Sequence, residues 1–172
     1  MTKFSKIAIT SLALVSPFLL ALPASAEPLA VTATVVESCS IATTAVAFGS
    51  YDPSVTNATV GAPLVGTGAV AVTCTTGSVA HILLGQGANA ITGTDAIPAR
   101  RMVGTPGGAF LTYFLYTDTL HTDVWGNTDA TGVDHTGTGA SSGDIVVYGS
   151  VPGAQNVPAG AYTDTVAATV TF

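Results

Sequence analysis

Positive charge is nearly absent from this chain. Four of its 172 residues are Lys or Arg, against ten acids. Lys3 and Lys6 fall in an N-terminal leader, so Arg100 and Arg101 are the cations that remain beyond it. A surface so poor in cations cannot neutralise many phosphates, which excludes nucleic-acid binding. Anionic lipid finds nothing to hold for the same reason. Charge of either sign is scarce, at 8% of residues, so the surface must be largely Thr, Ser, Gly and Ala. Such a surface suits a protein packed against copies of itself. Cysteine is equally scarce: Cys39 and Cys74, with no clustered pair of histidines, make a poor zinc site. Helical periodicity is missing beyond the leader, and no second apolar run is long enough to span a bilayer.

The leader itself reads as a secretory signal. Lys3 and Lys6 supply its charged region, residues 7–22 its apolar stretch, and Ala24-Ser25-Ala26 its small-residue cleavage site. Pro17 and Pro23 argue against a membrane anchor. The expected organisation is a signal peptide, 1–26, and one exported domain, 27–172, large enough to bury a core. Export carries both cysteines to an oxidising compartment, where a Cys39–Cys74 disulfide is expected. It closes a loop of about 36 residues, stabilising by on the order of 3–4 kcal/mol in the chain-entropy model.

Short runs of β-branched and aromatic residues recur between Gly, Pro, Asn and Asp clusters, the pattern of an all-β sandwich. Strands are predicted at 29–37, 45–51, 68–75, 79–84, 110–117, 144–149 and 162–172, with a short edge segment around 99–103. Residues 85–98 and 126–143 are predicted to be surface loops, the second being too rich in Gly, Thr, Ser and Asp to bury a core. In the last strand Tyr162, Val166, Ala168, Val170 and Phe172 share one face, with Asp164 the exception, and threonines dominate the other. No strand from this sequence follows Phe172. The last strand is therefore either an ordinary member of a sheet or one wall of a groove awaiting a partner's strand. The first strand has the same ambiguity. Leu29, Val31, Ala33 and Val35 alternate with Ala30, Thr32, Thr34 and Val36, and either pair within their own sheet or are lent to a neighbour.

Several pieces then converge. Cys39-Ser-Ile, Phe48-Gly-Ser-Tyr-Asp-Pro53 and Val72-Thr-Cys74 resemble the first half of the spore coat protein U-like family. Arg101-Met102, Leu111 to Tyr116, Trp125-Gly126, Val147-Tyr-Gly149 and Val157 to Thr165 resemble its second half. The resemblance implies a secreted subunit of an archaic chaperone–usher fibre or surface coat, supporting adhesion or biofilm formation. It implies an immunoglobulin-like β-sandwich lacking its final strand and completed by a donor strand. A periplasmic chaperone, an outer-membrane usher and identical or related subunits are the implied partners. Residues 27–36, with Leu29, Val31, Ala33 and Val35 as the apolar phase, become the candidate donor. Val166, Ala168, Val170 and Phe172 become the strand that pairs with the chaperone. Twelve residues, 27–38, precede Cys39, a short run to supply both a donor and the subunit's own first strand.

Other chemistry is weaker. Gly139-Ala-Ser-Ser-Gly143 matches a nucleophile elbow, which needs a strand before and a helix after its serine; a Gly/Thr loop and a strand are predicted instead. His121, Asp123, Asp129, Asp134 and His135 lack the calcium-loop spacing. Asn57-Ala-Thr59 is a glycosylation sequon of a kind common by chance. Trp125, Tyr113, Phe114 and Tyr116 either form a carbohydrate platform, which would make the protein an adhesin recognising a surface or glycan, or pack in the core. No enzyme activity, metal or cofactor is expected.

Overall fold

The computed structural model describes residues 24–172 apart from Thr92 and Pro106. The leader predicted at 1–26 thus lies, up to residue 23, outside the described residues. The chain divides into two units, Met1–Thr34 and Val35–Phe172. In the first, residues 24–34 have no regular secondary structure and are exposed.

The second unit is all-β, as expected. Its strands are β1 (Cys39–Thr44), β2 (Leu64–Cys74), β3 (Val79–Leu84), β4 (Arg101–Thr105), β5 (Phe110–Thr112), β6 (Phe114–Tyr116), β7 (Val133–Thr136), β8 (Ile145–Val151), β9 (Ala161–Thr163) and β10 (Ala168–Thr171). A 3-10 turn at Asp129–Thr131 precedes β7. One sheet has the order β1-β2-β8-β6; β10-β3-β7 and β5-β4-β9 form the other two. Alternation drives one phase of each strand inward. Val70, Val72, Val147, Val151 and Leu115 of the first sheet meet Ala80, Ile82, Leu84 and Leu111 of the others in the core. Trp125 and Tyr113 are buried among them, which removes them from any carbohydrate platform. Trp125 donates its indole N–H to the Ile82 carbonyl at 2.8 Å.

Two chain segments change sheet. β5 pairs with β4 and β6 pairs with β8, with Tyr113 at the break. Gln155 seals that break: its side chain accepts from Thr112 N at 2.8 Å and donates to Thr112 O at 3.0 Å, standing in for a missing strand partner. The C-terminal run does the same, β9 pairing with β4 and β10 with β3. It is antiparallel to both, so β3 and β4 lie end to end along it.

Five sequence expectations are corrected. Residues 29–37 form no strand; β1 begins at Cys39 instead. Residues 45–51 form none either, because this stretch leaves β1 and crosses the inner face of the first sheet. A methyl group at Gly68 would sit 2.6 Å from the Thr44 carbonyl oxygen, and one at Gly149 would sit 2.7 Å from the Phe48 ring. The glycines of β2 and β8 make room for the crossing. Residues 126–143 are not merely a surface loop: β7 pairs with β3, placing His81 opposite Asp134, and Val133 packs on the core. Backbone pairing asks for no apolar run, so composition concealed it. Finally, 110–117 and 162–172 are each two short strands in two sheets rather than one.

Candidate functional site: a groove beside the C-terminal strand

Along 161–171 burial alternates strictly. Tyr162, Asp164, Val166, Ala168 and Val170 are half-buried and the intervening residues are exposed. β9 and β10 each stand at the edge of their sheet. The carbonyls of Thr165 and Ala167 accept from Ala88 N and Gly85 N, so they face the segment that continues from β3. By strand alternation the backbone groups of Val166, Ala168 and Val170 face the opposite edge, where no described strand pairs. Beside that edge runs a groove of about 380 Å3. Its walls come from residues 43–46 with Phe48 and from residues 162–166 with Ala168, and Val70, Leu115 and Val147 form its floor. A second hollow of about 800 Å3 shares Val46, Phe48, Met102 and Tyr162 with it. At the far wall β1 is also an edge strand, and its Ile41 is 38% exposed. Two edges thus flank an apolar trough.

A polar network pins the wall. Asp164 sits where the C-terminal run passes from β9 to β10. Its carboxylate accepts from Tyr113 Oη at 2.7 Å, Asn89 Nδ2 at 2.9 Å and Ala88 N at 3.0 Å. Arg100, fully buried behind it, donates to the carbonyls of Leu84, Gly85 and Trp125 at 2.7–2.9 Å. Burial lowers the Arg100 pKa to about 10, opposed by the nearby Tyr113 and Asp164. Burial, then the hydrogen bond to Asp164, pushes the Tyr113 hydroxyl well above its ordinary range. The guanidinium holds three carbonyls where β3 ends, and the carboxylate holds the strand that runs beside them.

The predicted residues fall as follows. Cys39 and Cys74 are disulfide-bonded, opposite each other in the β1–β2 register. Cys39 opens its strand rather than closing one. Val166, Ala168 and Val170 lie on the half-buried phase, and Phe172 is 60% exposed beyond β10. Leu29, Val31, Ala33 and Val35 are all exposed and outside any strand. Val46, Phe48, Met102 and Tyr162 of the groove, and Arg100 behind it, were not among the predicted site residues. Asp164 had a signal: it is the single polar residue in an apolar phase.

Residues 25–169 match the family model of the Spore Coat Protein U domain. The chain belongs to the spore coat protein U family. Protein U of Myxococcus xanthus is 44% identical over 126 residues, which are 73% of this chain and 70% of that protein. Among solved structures, this coat protein U chain is similar to the CsuC-CsuE chaperone-tip adhesion subunit pre-assembly complex from archaic chaperone-usher Csu pili of Acinetobacter baumannii. The TM-score is 0.53 at 19% identity, covering 81% of this chain and 41% of that one. That likeness speaks for the fold. The matched family is described as that of a spore coat protein.

The remaining motifs find structural uses in the coat protein U fold. Ser142 Oγ accepts from Val72 N at 3.1 Å, tying the Gly139–Gly143 motif to β2, and β8 follows it in place of a helix. Asn57 is buried, its Nδ2 donating to Ala62 O at 2.9 Å, so the sequon asparagine is closed to a glycan. His81 Nδ1 pairs with Asp134 at 2.7 Å, while His121 packs against Tyr116, apart from them. Among the described residues no helix is long and apolar enough to cross a membrane.

Proposed function

We propose that this chain is an exported structural subunit, polymerised into a surface fibre or coat by exchange of β-strands. The single observation that carries the reading is the unpaired edge of the C-terminal strand beside an apolar groove. Such an edge is a template for another chain, and an apolar groove beside it supplies pockets for that chain's alternate side chains. In this reading the half-buried phase, Val166, Ala168 and Val170, pairs first with a periplasmic chaperone, with Phe172 at the strand's end. An outer-membrane usher then helps a subunit's N-terminal strand take the chaperone's place.

Residues 27–36 are the proposed donor. Their exposure, with Leu29 88%, Val31 86% and Val35 82% exposed, supports a segment whose apolar partners come from elsewhere. Burying these three would contribute on the order of 1.5–3 kcal/mol each before ordering costs. The phase Leu29, Val31, Ala33 and Val35 carries more apolar bulk at its start than Ala30, Thr32, Thr34 and Val36, and a one-residue slip exchanges the two. Adhesion or biofilm formation would be properties of the assembled fibre.

The test is deletion of residues 27–34 from the exported chain. The shortened subunit is expected to bind the chaperone but to give no ladder of oligomers on native gels, where the chain from Glu27 gives one. A shortened subunit that still forms the ladder would refute the donor assignment. Changing Val170 and Phe172 to Asp is expected to abolish the chaperone complex and block secretion. Normal secretion of that variant would refute the C-terminal assignment.

A further inference from the structure

One side chain of the groove is out of keeping with the rest. Among the described residues that line it, Asp164 alone is an ionisable acid or base of the Asp, Glu, Lys, Arg or His kind. It stands in the inward phase of the C-terminal run, with Tyr162 on one side and Val166 and Ala168 on the other. Its carboxylate is fixed in place. Tyr113 Oη, Asn89 Nδ2 and Ala88 N donate to it, and Gly87 packs so closely that a methyl group there would overlap it. Asp164 is nevertheless half-buried and lines the groove, so a strand laid there closes over a carboxylate. The proposed donor is uneven in a matching way. In the phase Leu29, Val31, Ala33 and Val35, three side chains are bulky and Ala33 is a single methyl group.

We propose that Asp164 sets the register of the incoming strand, admitting Ala33 of a second copy opposite it and rejecting a bulkier apolar residue. This rests on the strand-exchange reading above. A bulky apolar side chain over Asp164 strips the remaining water from a carboxylate and returns no hydrogen bond, a penalty that discriminates between registers. A methyl group covers least and leaves room for a bridging water. A slip of two residues keeps the same phase inward, so alternation alone does not forbid it. Each such slip lays Val31 or Val35 on Asp164 and moves Ala33 to Tyr162 or Val166. A slip of one brings Thr32 or Thr34 there, whose hydroxyl can donate, but it turns Leu29, Val31 and Val35 out of the apolar groove. With Ala33 opposite Asp164, the rest of the phase fits in either strand direction. Val31 and Val35 lie one on Val166 and one on Tyr162. Leu29, the longest, meets a small residue, Ala168 in an antiparallel strand and Gly160 in a parallel one.

Affinities of synthetic peptides spanning 27–38 for the exported chain lacking residues 27–34 test this. The deleted residues lie outside the compact unit Val35–Phe172. The Ala33→Leu peptide is expected to bind the native groove at least about tenfold more weakly than the native peptide. Most of that penalty is expected to vanish on an Asp164→Ala subunit, where no carboxylate is left to cover. Asp164→Asn, which keeps an acceptor oxygen, is the second variant in case the first fails to fold, and it is expected to relieve the penalty in part. Val31→Ala and Val35→Ala peptides are expected to lose affinity by the same factor, within about twofold, whichever residue occupies position 164. An Ala33→Leu penalty equal on native and variant subunits would overturn the proposal. So would coupling to position 164 that appears with the Val31, Val35, Thr32→Val or Thr34→Val peptides instead. A native peptide that binds without the coupling removes the register alone. A native peptide that does not bind removes the strand-exchange reading, and this proposal with it.

Discussion

Asp164 shows how one side chain can fix the wall of a groove. Replacing it with Ala leaves Tyr113 Oη, Asn89 Nδ2 and Ala88 N without their acceptor and takes a countercharge from near the buried Arg100. Asp164→Ala is expected to cost about 2–4 kcal/mol in urea unfolding, and Asp164→Asn less, since an amide oxygen still accepts. Tyr113 gives this network a pH signature. Its folded pKa is raised above the unfolded value of 10.0, so its contribution is complete below about pH 10 and is lost as pH rises further. Arg100 has the opposite sign: its pKa is lowered from 12.5 to about 10, a cost that is relieved as pH rises between those values. The melting temperature of the native protein is therefore expected to fall more steeply above pH 10 than that of Tyr113→Phe. Parallel curves would show that Tyr113 does not carry the alkaline loss. The exceptional position of Asp164 was legible in the sequence. Arg100 was not, because it belongs to no periodic run and its three carbonyl partners meet only in the fold.

At the scale of elements, alternation was a good guide where a strand has one wet and one dry face. It located β2, β3, β8 and the C-terminal run for that reason. It missed β1, because Cys-Ser-Ile-Ala-Thr-Thr carries a single large apolar residue and lies exposed at an edge. It misread 45–51, where Val46 and Phe48 alternate with smaller residues but pack inward on glycines instead of pairing. That crossing can be tested directly. Gly149→Ala would bring a methyl group to 2.7 Å from the Phe48 ring and is expected to destabilise by about 1–3 kcal/mol. A cost below a few tenths would mean that the crossing segment yields freely. The disulfide joins the start of β1 to the end of β2, anchoring the strand from which the crossing departs. Changing Cys39 and Cys74 together to Ala is expected to cost about 2–5 kcal/mol, read from the urea midpoint. An unchanged midpoint would show that β1 holds its register unaided.

For the molecule as a whole, the fold class and family were legible in the sequence, whereas the groove was not. Its walls, drawn from 43–48 and 162–168, are far apart in sequence and meet only because both segments leave the sheets in which they start. The central claim is that this groove and its open edge receive a strand. Amide hydrogen exchange tests it most directly, on the exported chain lacking residues 27–34, with and without a synthetic peptide spanning 27–38. The backbone groups of Val166, Ala168 and Val170 face the open edge, while the carbonyls of Thr165 and Ala167 face the segment that continues from β3. The account predicts fast exchange at 166, 168 and 170 in the free subunit, with protection rising by orders of magnitude when the peptide binds and little change at 165 and 167. Protection at the edge amides before any peptide is added, or none after saturation with it, would contradict the account.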